Sequence, residues 1–159
     1  MKKHTQIIKW ATDCLISKGY SLKHVSGIVL ETPWSNVIKF LTSDGYIYLK
    51  HTPPALFLEP KIMQLLASQF NASVPIVIAI NNDLDCFLTK DAGQLMREYL
   101  KTELSPGLLL CQAITQFTAI QRSTENHIDS FLALGVPDWR LDKLPKLYDH
   151  ITNELYFLK

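Results

Sequence analysis

The sequence is short of most features that would classify it at sight. Its cysteines are only three, Cys14, Cys86 and Cys111, far apart and without a C-x-x-C pair. That argues against a disulfide framework or a cysteine-based zinc site, and predicts buried, reduced thiols in a cytoplasmic protein. Charge is sparse and balanced, 19% charged residues with a formal net charge of +1, so nothing in the total points to nucleic acid or an anionic membrane as partner. Long apolar runs are missing as well. After Met1-Lys2-Lys3 the stretch is broken by Lys9, Asp13 and Lys18, which leaves neither a signal-peptide core nor a membrane span. The Asn71-Ala72-Ser73 sequon is therefore read as incidental. G-x-S-x-G, the P-loop and H-E-x-x-H are all absent, and no His or Cys spacing suits a metal. The five histidines are scattered, each expected at the surface or as a satisfied core residue.

What is present is material for a folded core. Hydrophobic residues make up 47% of 159, enough for one ordinary domain. Ile7, Ile8, Ala11, Cys14 and Leu15 recur at helical spacing over residues 4–18, with Gly19 placed as the stop. Three β-prone runs follow, at 26–31, 36–42 and 46–50. Thr32-Pro33-Trp34-Ser35 separates the first two, and Asp44-Gly45 reads as a tight hairpin turn with both central residues at positive φ. Pro53-Pro54 ends the third run and opens a helix with Leu58, Ile62, Leu65, Leu66 and Gln69 along one face, closed by 71–73. Residues 74–80 and 86–89 read as two further strands around an Asn81-Asn82-Asp83 turn. Helices are expected over 94–102, 105–125 and 144–158. Five antiparallel strands with one helix after the third, then helices only, is an α+β layout. It divides into a sheet lobe over 1–92 and a helical segment over 93–159.

That order carries a resemblance. Tyr46-Ile47-Tyr48-Leu49-Lys50, Glu59, the run from Val74-Pro75 to Ala79, and Phe87 to Gly93 together resemble the smaller lobe of the protein-kinase-like fold. Within it they look most like the aminoglycoside phosphotransferase family. The likeness extends from about residue 22 to 150, since Leu134 to Trp139 also resembles that family's helical core. It implies a nucleotide-binding lobe with a five-stranded antiparallel sheet and one inserted helix, followed by helices of a truncated second lobe. Lys50 would reach the α- and β-phosphates of ATP or GTP, and Glu59 would hold that lysine by an ion pair. Thr89, Lys90 and Asp91 would form the hinge whose backbone meets the base. The loop over the phosphates, from Glu31 to Asn36, contains no glycine, so Ser35 and Asn36 would donate to phosphate there. Trp34 either covers the nucleotide or packs as a partly buried residue. Without the resemblance, a strand-end lysine and a first-turn glutamate are also what a solvated surface carries.

The same likeness marks what the sequence lacks. Its only H-x-D, His127-Ile128-Asp129, has Leu134 where the family's catalytic loop has Asn, and it closes a helical stretch. Neither a catalytic base nor the ligands for the expected Mg2+ is read here. The expectation is the N-terminal portion of a phosphotransferase acting on a small-molecule hydroxyl, binding nucleotide but not turning it over. The alternative is a degenerate kinase-like domain used as an interaction module, self-associating through its exposed helical surface. Phe40, Tyr46 and Tyr48 lie on strands and are read as core rather than as an RNA-stacking platform.

Overall fold

The structure is a computed structural model that describes residues 2–101 and 106–156. Its elements are α1 (Lys2–Ser17), β1 (Leu22–Thr32), β2 (Ser35–Thr42), β3 (Gly45–His51), α2 (Glu59–Phe70), β4 (Val77–Asn81), β5 (Cys86–Lys90), α3 (Met96–Leu100), α4 (Pro106–Thr124), α5 (Ile128–Ala133) and α6 (Leu144–Tyr156). The fold is α+β, with an open antiparallel five-stranded sheet in the order β1-β2-β3-β5-β4. The chain forms two compact units, Met1–Asn126 and His127–Lys159, so α3 and α4 group with the sheet. None of the described helices is long and apolar enough to cross a membrane.

One buried cluster lies between α1 and the sheet, and Phe57 and Phe87 are buried on the opposite face. Ile7, Ala11 and Leu15 stack at four-residue intervals along α1 and bury themselves against Ile38, Phe40, Ile47, Leu49, Cys86 and Leu88. The exit from α1 is a Schellman turn. The Gly19 amide donates to Ile16 and the Tyr20 amide to Leu15, both at 3.0 Å, with Gly19 at φ 85 where a side chain would be strained. Among the described strands, β1 and β4 are the edge strands. Three register shifts along β1 kink it, which makes that edge a poor template for further strands.

Several boundaries differ from the sequence reading, each for a local reason. The helix expected at Pro53-Pro54 begins only at Glu59. Pro53 to Phe57 instead closes a 3-10 turn through Leu56 to Pro53 and Phe57 to Pro54 hydrogen bonds. Pro60 lacks an amide and is tolerated in the first helical turn but not further inside, so the helix has to start late. The β2–β3 turn is centred on Ser43-Asp44, one residue earlier than expected. Only Gly45 takes positive φ, at 104, in the position of a glycine bulge, while Thr42 Oγ1 accepts from Asp44 and donates to the Gly45 carbonyl. Strand β4 begins at Val77 rather than at 74, after Val74 turns back to the Ala72 carbonyl. Strand β1 starts earlier than expected, at Leu22. Helix α3 is short, and the expected ends at residues 102, 105 and 158 lie outside the described residues. Cys14 and Cys86 are half-buried and buried, as expected, but Cys111 on α4 is exposed.

In the second unit, residues 128–133 form a helix of their own, and Asp129 sits in its first turn. Further on, the Arg140 side chain and amide both donate to Asp138, holding that carboxyl at about 2.

Leu15 is fully buried and Ile16 is 59% exposed, so the neighbouring truncations should separate cleanly. Leu15→Ala is expected to cost about 2–5 kcal/mol in urea denaturation. Ile16→Ala should stay within about 0.5 kcal/mol of the parent. Equal losses would contradict the packing of α1 described above.

Candidate functional site

The sheet's ladder sorts its side chains into two faces, because directly paired residues in antiparallel strands point to the same side. One face, carrying Ile38, Phe40, Ile47, Leu49 and Leu88, is covered by α1. On the other, Leu30, Val37, Lys50 and Phe87 form one row across β1, β2, β3 and β5. The next row there is Lys39, Tyr48 and Thr89.

Lys50 and Glu59 meet on this second face. The ammonium lies 2.8 Å from Glu59 Oε1 and 2.6 Å from Oε2. The late start of α2 is what permits this. The 3-10 turn folds back from the end of β3, its last residue Phe57 stacks tilted against Phe87 at 6.3 Å, and Glu59 follows at the helix's first position. The side chains keep 30% and 39% of their surface exposed, so the pair is screened and contributes little to folding. That same exposure leaves the ammonium within reach of an anion.

The remaining expected residues divide between the two faces. Ser35 shares the parity of Lys50, while Asn36 pairs with His51 and lies on the α1 face. A contact from Asn36 to an anion held at Lys50 is therefore not what the register offers. Trp34 stands at the tip of the β1–β2 turn, 67% exposed, so the reading as a partly buried packing residue does not hold. At the end of β5 the Lys90 and Asp91 amides are committed, to the Ile76 carbonyl at 2.9 Å and the Tyr46 carbonyl at 3.2 Å. The Asp91 carboxylate accepts from the Gly93 amide at 2.9 Å. Thr89 follows Tyr48 across the ladder and is half-buried.

Tyr48 is the residue the sequence reading misplaced. Phe40 is core as expected, but Tyr46 is 40% exposed and Tyr48 half-buried, both on the open face. Lys39 lies over the Tyr46 ring at 3.5 Å and 5.7 Å from the Tyr48 ring. The period-two spacing of Tyr46, Tyr48 and Lys50 was the available signal. Among the described residues no three His, Cys, Asp or Glu side chains cluster as metal ligands.

The α1 face carries a second polar feature. His51 is not a satisfied core histidine, for its Nε2 is buried without a partner. Burial, and then the nearby Lys3, lower its pKa from 6.5, with His4 adding to this and Asp85 opposing it. Cys86, beside it, is pushed up to about 12 by burial and by Asp85, so its thiol is unreactive. Because the unfolded chain binds the His51 proton more readily, this group's contribution to stability is present above pH 6.5 and lost as pH falls below it. Urea midpoints should therefore decline from pH 7 to pH 5, and His51→Gln should flatten part of that slope. An unchanged slope in the variant would count against the assignment.

Compared with known proteins, the chain matches no family model and no curated protein sequence.

Proposed function

We propose that the face carrying Lys50 binds a nucleoside triphosphate, as the nucleotide-holding portion of a phosphotransferase similar to the aminoglycoside phosphotransferases, with a small-molecule hydroxyl as acceptor. The observation that carries the reading is the Lys50–Glu59 ion pair, a strand lysine fixed by the first turn of the following helix. A triphosphate is a dense anion, and phosphoryl transfer depends chiefly on positioning and neutralising it. An ammonium already oriented by a carboxylate loses little freedom when phosphate oxygens join it.

The neighbouring row supplies the rest. Tyr48 offers an aromatic surface on the same side as Lys50, two residues nearer the end of β5, where a purine of ATP or GTP would stack. The committed amides of Lys90 and Asp91 leave the backbone beyond them to meet the base edge. Ser35 and the exposed Trp34 would close over the phosphates from the β1–β2 turn. Mg2+ would arrive with the triphosphate, bound by its oxygens, and would neutralise charge during transfer. The 159 residues hold no H-x-D-x-x-x-x-N sequence, so on this reading the chain binds nucleotide without transferring phosphate. A non-catalytic interaction module is the second reading. It is favoured by Leu110, Ile114 and Phe117, exposed along one side of α4 where a partner or a second copy would pack.

Titration with ATP, GTP and adenosine, followed by tryptophan fluorescence and calorimetry, separates these. Lys50→Ala should weaken triphosphate binding about ten- to a hundredfold, the loss of one charge-assisted contact, and leave adenosine unaffected. Tyr48→Ala should weaken all three. No triphosphate binding by the parent chain, or equal binding by Lys50→Ala, would remove the nucleotide reading.

A further inference from the structure

The α1 face of the sheet ends in a polar row where the rows before it are apolar. Glu31, Asn36 and His51 stand side by side on β1, β2 and β3, next to the apolar row of Ile28, Ile38, Leu49 and Leu88. The first turns of α1 close over this row with Lys3, His4 and Thr5, and Ile7 and Ile28 form its apolar side, around a cavity of about 450 Å³. That volume falls within the range of small-molecule sites. Two of the lining side chains, Asn36 and His51, each hold a buried atom without a hydrogen-bond partner, Oδ1 and Nε2. Unsatisfied buried polar atoms are costly, and a pair of them on facing strands calls for a group that satisfies both.

The charges around the cavity restrict what that group can be. A simple anion would meet the Glu31 carboxylate, and a simple cation would meet Lys3 and His4. Lys3 is itself balanced by Asp85 in the β4–β5 turn at 3.2 Å. A molecule with a donor at one end and a carboxylate at the other meets neither conflict. We propose that this cavity is a binding site for a small zwitterion of the free α-amino-acid class, with its ammonium on Asn36 Oδ1, His51 Nε2 and Glu31, and its carboxylate toward Lys3, His4 and the positive end of α1. An aliphatic side chain would rest on Ile7 and Ile28. Burial and Lys3 lower the His51 pKa, favouring the neutral imidazole, whose unprotonated ring nitrogen accepts. The site lies across the sheet from Lys50 and does not depend on the nucleotide reading.

The test is an NMR titration of the isotope-labelled full chain with glycine, alanine and leucine, and with two single-ended analogues, 3-methylbutylamine and 4-methylpentanoate. Leucine should give saturable shifts at Lys3 to Ile7, Glu31, Asn36 and His51, with either analogue at least about tenfold weaker. Asn36→Ala should weaken leucine about tenfold, and Lys50→Ala should leave it unchanged. Should Asn36→Ala fail to fold, the analogue comparison in the parent chain decides alone. No saturable shift with any amino acid, an amine that matches leucine, or shifts confined to the Lys50 face would overturn the proposal.

Discussion

The pairing of β3 with β2 on one side and β5 on the other is the constraint on which the rest of the molecule depends. A strand's side chains alternate, so the register that sends Ile47 and Leu49 into the α1 core also sends Tyr48 and Lys50 to the opposite side. A slip of one residue would bury the lysine and expose the core, which is why the apolar row enforces the position of the polar one. The Lys50–Glu59 contact is thus a product of core packing more than a cause of it. Being partly exposed it adds little to stability, but its two ends are held by elements that the core fixes independently.

The connection between β3 and α2 shows how little freedom that geometry leaves. The two ends of the ion pair are nine positions apart in sequence, and the chain must leave the sheet, reverse and start a helix between them. The 3-10 turn at Pro54–Leu56 does this without side-chain caps, using proline's fixed φ to save conformational entropy. Phe57 then anchors the segment on Phe87, whose strand partner is Lys50 itself. The aromatic contact and the ion pair brace the same short segment at its two ends.

Much of this was legible in the sequence, and the misreadings have a common form. Helical spacing in residues 4–18 and the strand runs follow from local periodicity and from proline and glycine signals, which act within a few residues, whereas the pairing of Lys50 with Glu59 was expected from the resemblance. What local signals do not carry is which side of the sheet is covered. Tyr48 was read as core because strand aromatics usually are, yet α1 covers the other face of the middle strands. Asn36 was grouped with Ser35 as a phosphate contact because adjacent residues look adjacent, although in a strand they point apart. The late start of α2 was readable in Pro60, which cannot sit deep in a helix beginning at Pro54. The exposure of Cys111 had no sequence signal, since a thiol on an apolar helix reads as buried wherever that helix is covered.

Lys50 and His51 are consecutive, and for that reason they belong to different surfaces. One backbone step leads from a half-exposed ammonium to an imidazole whose Nε2 is buried. Side-chain electrostatics on the two faces are separated by the thickness of the sheet, with Lys3, His4 and Asp85 acting on His51 and Glu59 acting on Lys50. The Thr52 amide bound to the Asp85 carbonyl at 3.1 Å ties the end of β3 to the β4–β5 turn, and the Lys3–Asp85 pair ties α1 to the same turn. Those two contacts hold the strand where the faces diverge. A ligand on either side could influence the other only by differing in its affinity for the braced and released arrangements of this junction.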